Sequence, residues 1–238
     1  MSPDSRTARI AGVLYLIVVL SGFFSIAYVP SQIILKSDPA ATLGNLEASK
    51  RLWQLGIVGS LICYSAFLIL PLALYRLLSS VGRNAAALMV TFAVTSVPLA
   101  IVNLRHHLDV LSLLNRTGLL QGLSDGQVSA QMLLSLEAFR NGALLTEVFW
   151  GLWLLPFGYL VFRSGFLPRI LGVLLMLGCF GYLFNVFGTV ISPEHSASTL
   201  ASLVSIPSAL GEIGTCLWLL LFGVGQPGGT VVQAVDAV

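Results

Sequence analysis

Two carboxylates, Glu147 and Glu212, interrupt long apolar stretches of the chain. An ionisable side chain at the centre of a bilayer costs about 2.5–3.5 kcal/mol on insertion scales, so each is a functional candidate by default. Glu147 stands seven positions after Arg140, roughly 10 Å along a helix that rises 1.5 Å per residue. Glu212 sits at a comparable depth in the last apolar stretch. Near them in the expected layout are Asn103, Arg105, His106, His107 and Asp109, then Arg140 with Asn141, and Asn185. On a helix Asn103, His106 and His107 share one face, while Arg105 and Asp109 form an i,i+4 pair on another. Trp150, three residues after Glu147, and Trp218 are candidate apolar walls. Carboxylates, imidazoles and amides of this kind serve as partners for a proton, a cation or a polar ligand group. They also serve a purely structural end, since Arg and His at a helix end reach the headgroups without any further role.

The elements that position these residues follow from composition. Of 238 residues 56% are hydrophobic and 9% charged, with mean hydropathy +0.92, whereas a soluble domain carries about 25% charged residues. Too little polar surface remains for a water-soluble domain, and the chain reads as an integral membrane protein. Six apolar stretches, at about 10–29, 52–75, 85–102, 143–162, 170–191 and 207–224, are continuous instead of alternating. They predict an all-α fold, a single six-span transmembrane domain over 1–224 with a disordered tail at 225–238. Small residues at Ser25-Ile26-Ala27 resemble a signal-peptidase site, but the apolar run before them exceeds a signal core of about 7–15 residues. The first stretch is therefore expected to be a retained span.

Orientation rests on basic residues in the connections. With the N-terminus inside, Arg6, Arg9, Arg76, Arg83, Arg163 and Arg169 are cytoplasmic. Lys36, Lys50, Arg51, Arg105, Arg116 and Arg140 are then outside, an equal number. The inner connections are the shorter ones and the outer basic residues are interleaved with acids, which favours both termini in the cytoplasm and an inner (plasma) membrane location. In that layout Glu147, Glu212 and the other polar residues share the outer half of the bilayer. The expectation is a cavity open to the outer leaflet that binds a small molecule or lipid and belongs to a transport process.

Local signals refine the connections. Ser37-Asp38-Pro39 caps a short helix, and Ser124 with Gln127 makes a capping box. Val128, Met132, Leu136 and Phe139 then form one apolar face of a short amphipathic helix, expected to lie on the outer surface as an interfacial anchor and to feed into the fourth span. Pro71, Pro98 and Pro156 lie inside spans and free backbone carbonyls. Arg9-Ile-Ala-Gly-Val-Leu14 returns as Arg169-Ile-Leu-Gly-Val-Leu174, and Leu55-Gly-Ile-Val-Gly59 as Leu210-Gly-Glu-Ile-Gly214. Either a duplicated hairpin or recurrent small-residue packing explains these pairs. The same small-residue faces would suit a homodimer.

The run Gly151-Leu-Trp-Leu-Leu-Pro-Phe-Gly-Tyr-Leu-Val-Phe-Arg-Ser-Gly-Phe-Leu-Pro-Arg-Ile-Leu-Gly172, continuing to Asn185, resembles the bacterial integral membrane proteins of domain-of-unknown-function family 4386. Ala8-Arg-Ile-Ala-Gly-Val-Leu-Tyr15 and Gly211-Glu-Ile-Gly214 are similar to that family too. The resemblance implies a multi-span membrane protein and brings no activity or catalytic residue.

Other chemistries find little footing. The basic residues are scattered, so no nucleic-acid partner is expected. His106, His107, Asp109, Glu147, Glu212 and His195 include zinc-ligand types without a ligand spacing, so a metal-dependent hydrolase is an alternative and no metal or other cofactor is favoured. Cys63, Cys179 and Cys216 stand singly and read as core residues. No phosphate loop, nucleophile elbow or dinucleotide fingerprint occurs, so an enzyme is the less favoured class. An accessory subunit whose polar residues bind its own helices is the remaining alternative.

Overall fold

A computed structural model describes residues 3–35, 38–116 and 118–224. The C-terminal segment expected to be a tail, 225–238, lies outside the described residues, as do Lys36 and Ser37. Among the described residues there is no strand. The helices are α1 (Pro3–Gly22), α2 (Val29–Ile33), α3 (Pro39–Ala48), α4 (Lys50–Leu78), α5 (Arg83–Asn115), α6 (Asp125–Leu152), α7 (Leu154–Ser164), α8 (Arg169–Ile191) and α9 (Thr199–Leu221). A π-helical turn, Phe23–Tyr28, joins α1 to α2, and 3-10 turns cover Gly118–Gly122 and Pro193–Ala197. Six of the resulting units are long and apolar enough to cross a membrane, with α1 to α2 forming the first and α6 with α7 the fourth.

The six spans pack in sequence order. α1 packs on α4, α4 on α5, α5 on α6 and α7, these on α8, α8 on α9, and α9 returns to α1. The ring closes over an aromatic centre in which Trp153 stacks on Phe157 at 5.0 Å, meets Phe67 edge-on at 5.1 Å and lies 6.3 Å from Tyr15. Alternation of the spans puts α3 and the 3-10 turns Gly118–Gly122 and Pro193–Ala197 on one face, here the long-loop face. The other carries the connections 79–82 and 165–168.

Small residues set the helix spacing. A Cβ on Gly12 would fall 2.8 Å from the Leu220 nitrogen, and one on Gly172 would fall 2.6 Å from the Gly158 oxygen. Gly59 meets Phe24 and Ser25, Gly211 meets Leu175, and Gly214 meets Leu171. Every glycine of the recurring sequence pairs named here thus lies at a close helix contact. Pro156 has no N–H for the Leu152 carbonyl, and the fourth span breaks at Trp153 accordingly.

Two spans run well beyond their apolar cores. α5 has 33 residues, about 50 Å at 1.5 Å per residue, against a hydrocarbon core of about 30 Å. The third apolar stretch ends at Val102, yet the helix continues past the charged residues to Asn115. α6 begins at the capping box, where Ser124 Oγ accepts from the Gln127 N–H and Gln127 Oε1 accepts from the Ser124 N–H at 2.9 Å. The segment expected as an interfacial anchor is therefore continuous with the fourth span. Its apolar residues do not face lipid: Val128 and Met132 pack on Leu113 of α5, and Leu136 and Phe139 pack on the main core. An antiparallel partner offers that stripe a drier, more permanent surface than the headgroups do. α9 likewise starts at Thr199, eight residues before the apolar reading, because Ser198 caps it by accepting from the Ala201 N–H at 3.1 Å.

Candidate functional site

On the long-loop face the spans part around a cleft of about 1400 Å³. One wall is the α6 stripe Leu133, Glu137, Arg140, Leu144 and Glu147, whose spacings of four, three, four and three keep it on one helix face. α8 supplies Tyr182, Asn185 and Thr189, and α9 supplies Ala201, Ser205 and Ser208, again at spacings of three and four. The opposite side is Ile26, Pro30 and Ile34 with Thr42 of α3. The π-helical turn shapes this side: Ser25 is buried against Gly59, its hydroxyl donating to the Ser21 carbonyl at 2.7 Å, which leaves Ile26 on the cleft.

Glu147 lies in this wall with no hydrogen bond or ion pair to any described residue. Arg140, two turns away and also in the wall, is paired with Glu137 instead. Asn185 straps the cleft's end. Its Nδ2 donates to the Ala201 carbonyl at 3.0 Å and to Ser205 Oγ at 2.9 Å, while its Oδ1 lies 3.1 Å from His195 Nε2. His107 also lines the cleft but is nearly buried. It is 6% exposed, stacked on Phe139 at 3.7 Å and tilted against Trp53 at 4.4 Å.

Several expected members stand elsewhere. Glu212 lies outside the cleft lining and accepts a hydrogen bond from the fully buried Tyr15 hydroxyl at 3.3 Å. Asn103 ties α5 to α6 by donating from Nδ2 to the Phe139 carbonyl at 2.8 Å, seated against Gly142. Asp109 pairs with His106 at 3.5 Å instead of with Arg105, which is exposed on the outside of α5. Trp150 packs 6.4 Å from Tyr64, and Trp218 packs 4.6 Å from Phe222, both outside the cleft lining. The expected grouping of both carboxylates beside the His106 and His107 pair thus resolves into a cleft with Glu147 and a separate buried pair, Glu212 with Tyr15. Among the described residues no three of His, Cys, Asp and Glu come together as a metal site.

Sequence reasoning missed Tyr182, Ser205, Ser208, His195 as a cleft strap, and Tyr15. The serines were signalled by their spacing of three and four toward Glu212, and Tyr182 by its place three residues before Asn185. Tyr15 gave no signal, since 197 residues separate it from its partner.

A family model described as a domain of unknown function, DUF4386, matches residues 10–223. The chain belongs to that family. A curated relative from Archaeoglobus fulgidus, named only as an uncharacterized protein, is 31% identical over 88 residues, which is 37% of this chain and 50% of the relative. The match thus spans about half the length of that relative. No solved structure matches the chain. Neither the DUF4386 description nor the relative's name states a chemistry, so the chemistry is read from the cleft itself.

Proposed function

We propose that this membrane protein binds an amphipathic small molecule or lipid carrying a positive charge, and does so as part of a transport process. The carrying observation is Glu147, a carboxylate in the wall of a large and mainly apolar cleft whose lining arginine, Arg140, is paired with Glu137. A side chain that costs about 2.5–3.5 kcal/mol to hold at membrane depth calls for a return, and a cationic ligand group supplies one. Ile26, Leu145 and Val190 line the cleft and are 45%, 65% and 66% exposed, which makes its mouth apolar and supports entry from the lipid side. At about 1400 Å³ the cleft exceeds the roughly 300–1,000 Å³ of a drug-sized pocket. Arg76, Arg83, Arg163 and Arg169 at the short-loop face support a cytoplasmic location for that face, in an inner membrane, and so a cleft toward the outer leaflet.

The test is equilibrium binding of tetraphenylphosphonium, a permanently charged apolar cation, to the purified protein in lipid nanodiscs. The wild type is expected to bind it, and Glu147→Gln to lose at least tenfold in affinity, about 1.4 kcal/mol. Equal binding by Glu147→Gln would refute the role of this carboxylate.

A further inference from the structure

Cation binding at Glu147 leaves the second carboxylate without a task. Glu212 sits one helical turn below Ser208, which lines the cleft, on the same face of α9. Helical side chains tilt toward the N-terminus of their helix. α9 descends from the long-loop face, so Glu212 points up toward the cleft floor; α8 ascends, so Tyr182 points down from the cleft wall. Tyr182 lies within electrostatic range of both Glu212 and Glu147. Its position is fixed by Gly151, one turn after Glu147, where an added Cβ would fall 2.8 Å from Tyr182 Cβ.

The titratable groups nearest Glu212 are Tyr15 on α1, which is also near Cys216 one turn further along α9, and Tyr182 on α8, which also feels Glu147 of α6. Among the described residues Tyr15 is its one hydrogen-bond partner, and no Lys, Arg or His forms an ion pair with it. Around Glu147 the cleft adds Glu137, Arg140 and His107, and His195 stands behind Asn185. A phenol at 3.3 Å orients a carboxylate but does not balance its charge, and no three-ligand group is present among the described residues to hold a metal ion. The counter-charge that fits is a proton.

We propose that Glu212 is a proton-binding site beneath the cleft and that its proton is exchanged for a cation bound at Glu147. This rests on the reading of the cleft as a cation site. In the empty protein the linked carboxylates carry one negative charge between them. When the cation arrives, the Glu212 O–H bond breaks and the proton passes to water in the cleft, so carboxylates and cation again sum to one negative charge. Tyr182 is the positioning residue between the two. Because coupling is reciprocal, one displaced proton makes cation affinity rise about tenfold per pH unit.

Tetraphenylphosphonium added to the protein in weakly buffered nanodiscs, with a pH-indicator dye, reads protons released per cation bound. The expected ratio is about one for the wild type, falling toward zero in Glu212→Gln and reduced in Tyr182→Phe. Gln is isosteric and its amide oxygen still accepts from Tyr15, so folding is preserved, and Tyr182→Phe provides a second reading. An unchanged ratio in Glu212→Gln would overturn the exchange even with binding intact. If the wild type binds no tetraphenylphosphonium, the reading of the cleft fails, and infrared spectroscopy still decides the proton site. A carbonyl stretch of a protonated carboxylic acid, present in the wild type and lost in Glu212→Gln, upholds it; no such band in the wild type overturns it.

Discussion

Gly181 faces the neighbouring α9 so closely that an added Cβ would lie 2.2 Å from the Val204 carbonyl oxygen. A carbon and a carbonyl oxygen come no nearer than about 3.3 Å even in favourable contacts, so Gly181→Ala forces α8 and α9 apart by roughly 1 Å. Both atoms involved sit on or next to backbone, and no rotamer change relieves the clash. Overpacking costs about 1–3 kcal/mol, and a contact of this kind belongs at the upper end. Alanine recovers about 1 kcal/mol of helix propensity over glycine. The expected net loss is about 2 kcal/mol, which for a domain of this size lowers Tm by about 4–8 °C. One turn further along α8, the Asn185 bonds to Ala201 and Ser205 are drawn apart with it. The control is Gly44→Ala in α3, where an added Cβ meets nothing within 4 Å. There only the propensity remains, and Tm should rise by about 2–4 °C. Thermal melts of the three proteins in one detergent, followed by circular dichroism, check both signs. Were Gly181→Ala to melt at or above the wild type, the small-residue account of the α8 and α9 contact would be refuted.

Asn185→Ala removes the donor to the Ala201 carbonyl and the partner of His195, at a cost of about 1 kcal/mol at this partly exposed site. Faster amide hydrogen exchange over 193–205 is the expected signature, and an unchanged exchange pattern would show that Asn185 does not strap the cleft. Cysteine labelling separates the two carboxylate positions. A polar, membrane-impermeant maleimide should modify Glu147→Cys and leave Glu212→Cys unmodified, and equal labelling of both would place position 212 in the cleft.

Much of the architecture was legible in the chain because water and lipid read composition directly. Six apolar runs separated by Arg, Pro and capping residues are enough to require six spans, and the capping box at Ser124 and Gln127 started α6 where expected. Helix ends were less legible. A hydropathy reading stops at Arg105 or Arg140, while the backbone continues its hydrogen-bonded ladder wherever a neighbouring helix covers the apolar face, as Leu113 covers Val128 and Met132. The π-helical turn at Phe23–Tyr28 has no compositional mark, since it answers to Gly59 on another helix.

The site divides along the same line. That Glu147 and Glu212 are costly follows from the sequence alone, because the free energy of a carboxylate in hydrocarbon depends on its immediate medium. Which of them meets a cleft and which meets a phenol was decided only by tertiary structure. Rotation of a helix by one residue, about 100°, exchanges a cavity wall for a buried contact, and that rotation is set by close glycine contacts, Gly142 and Gly151 on α6 and Gly211 and Gly214 on α9. The sequence therefore determined that the chain must bury charge in a six-helix membrane domain. The packing of the closed ring determined that one carboxylate faces a cleft while the other lies behind Tyr182 in contact with Tyr15.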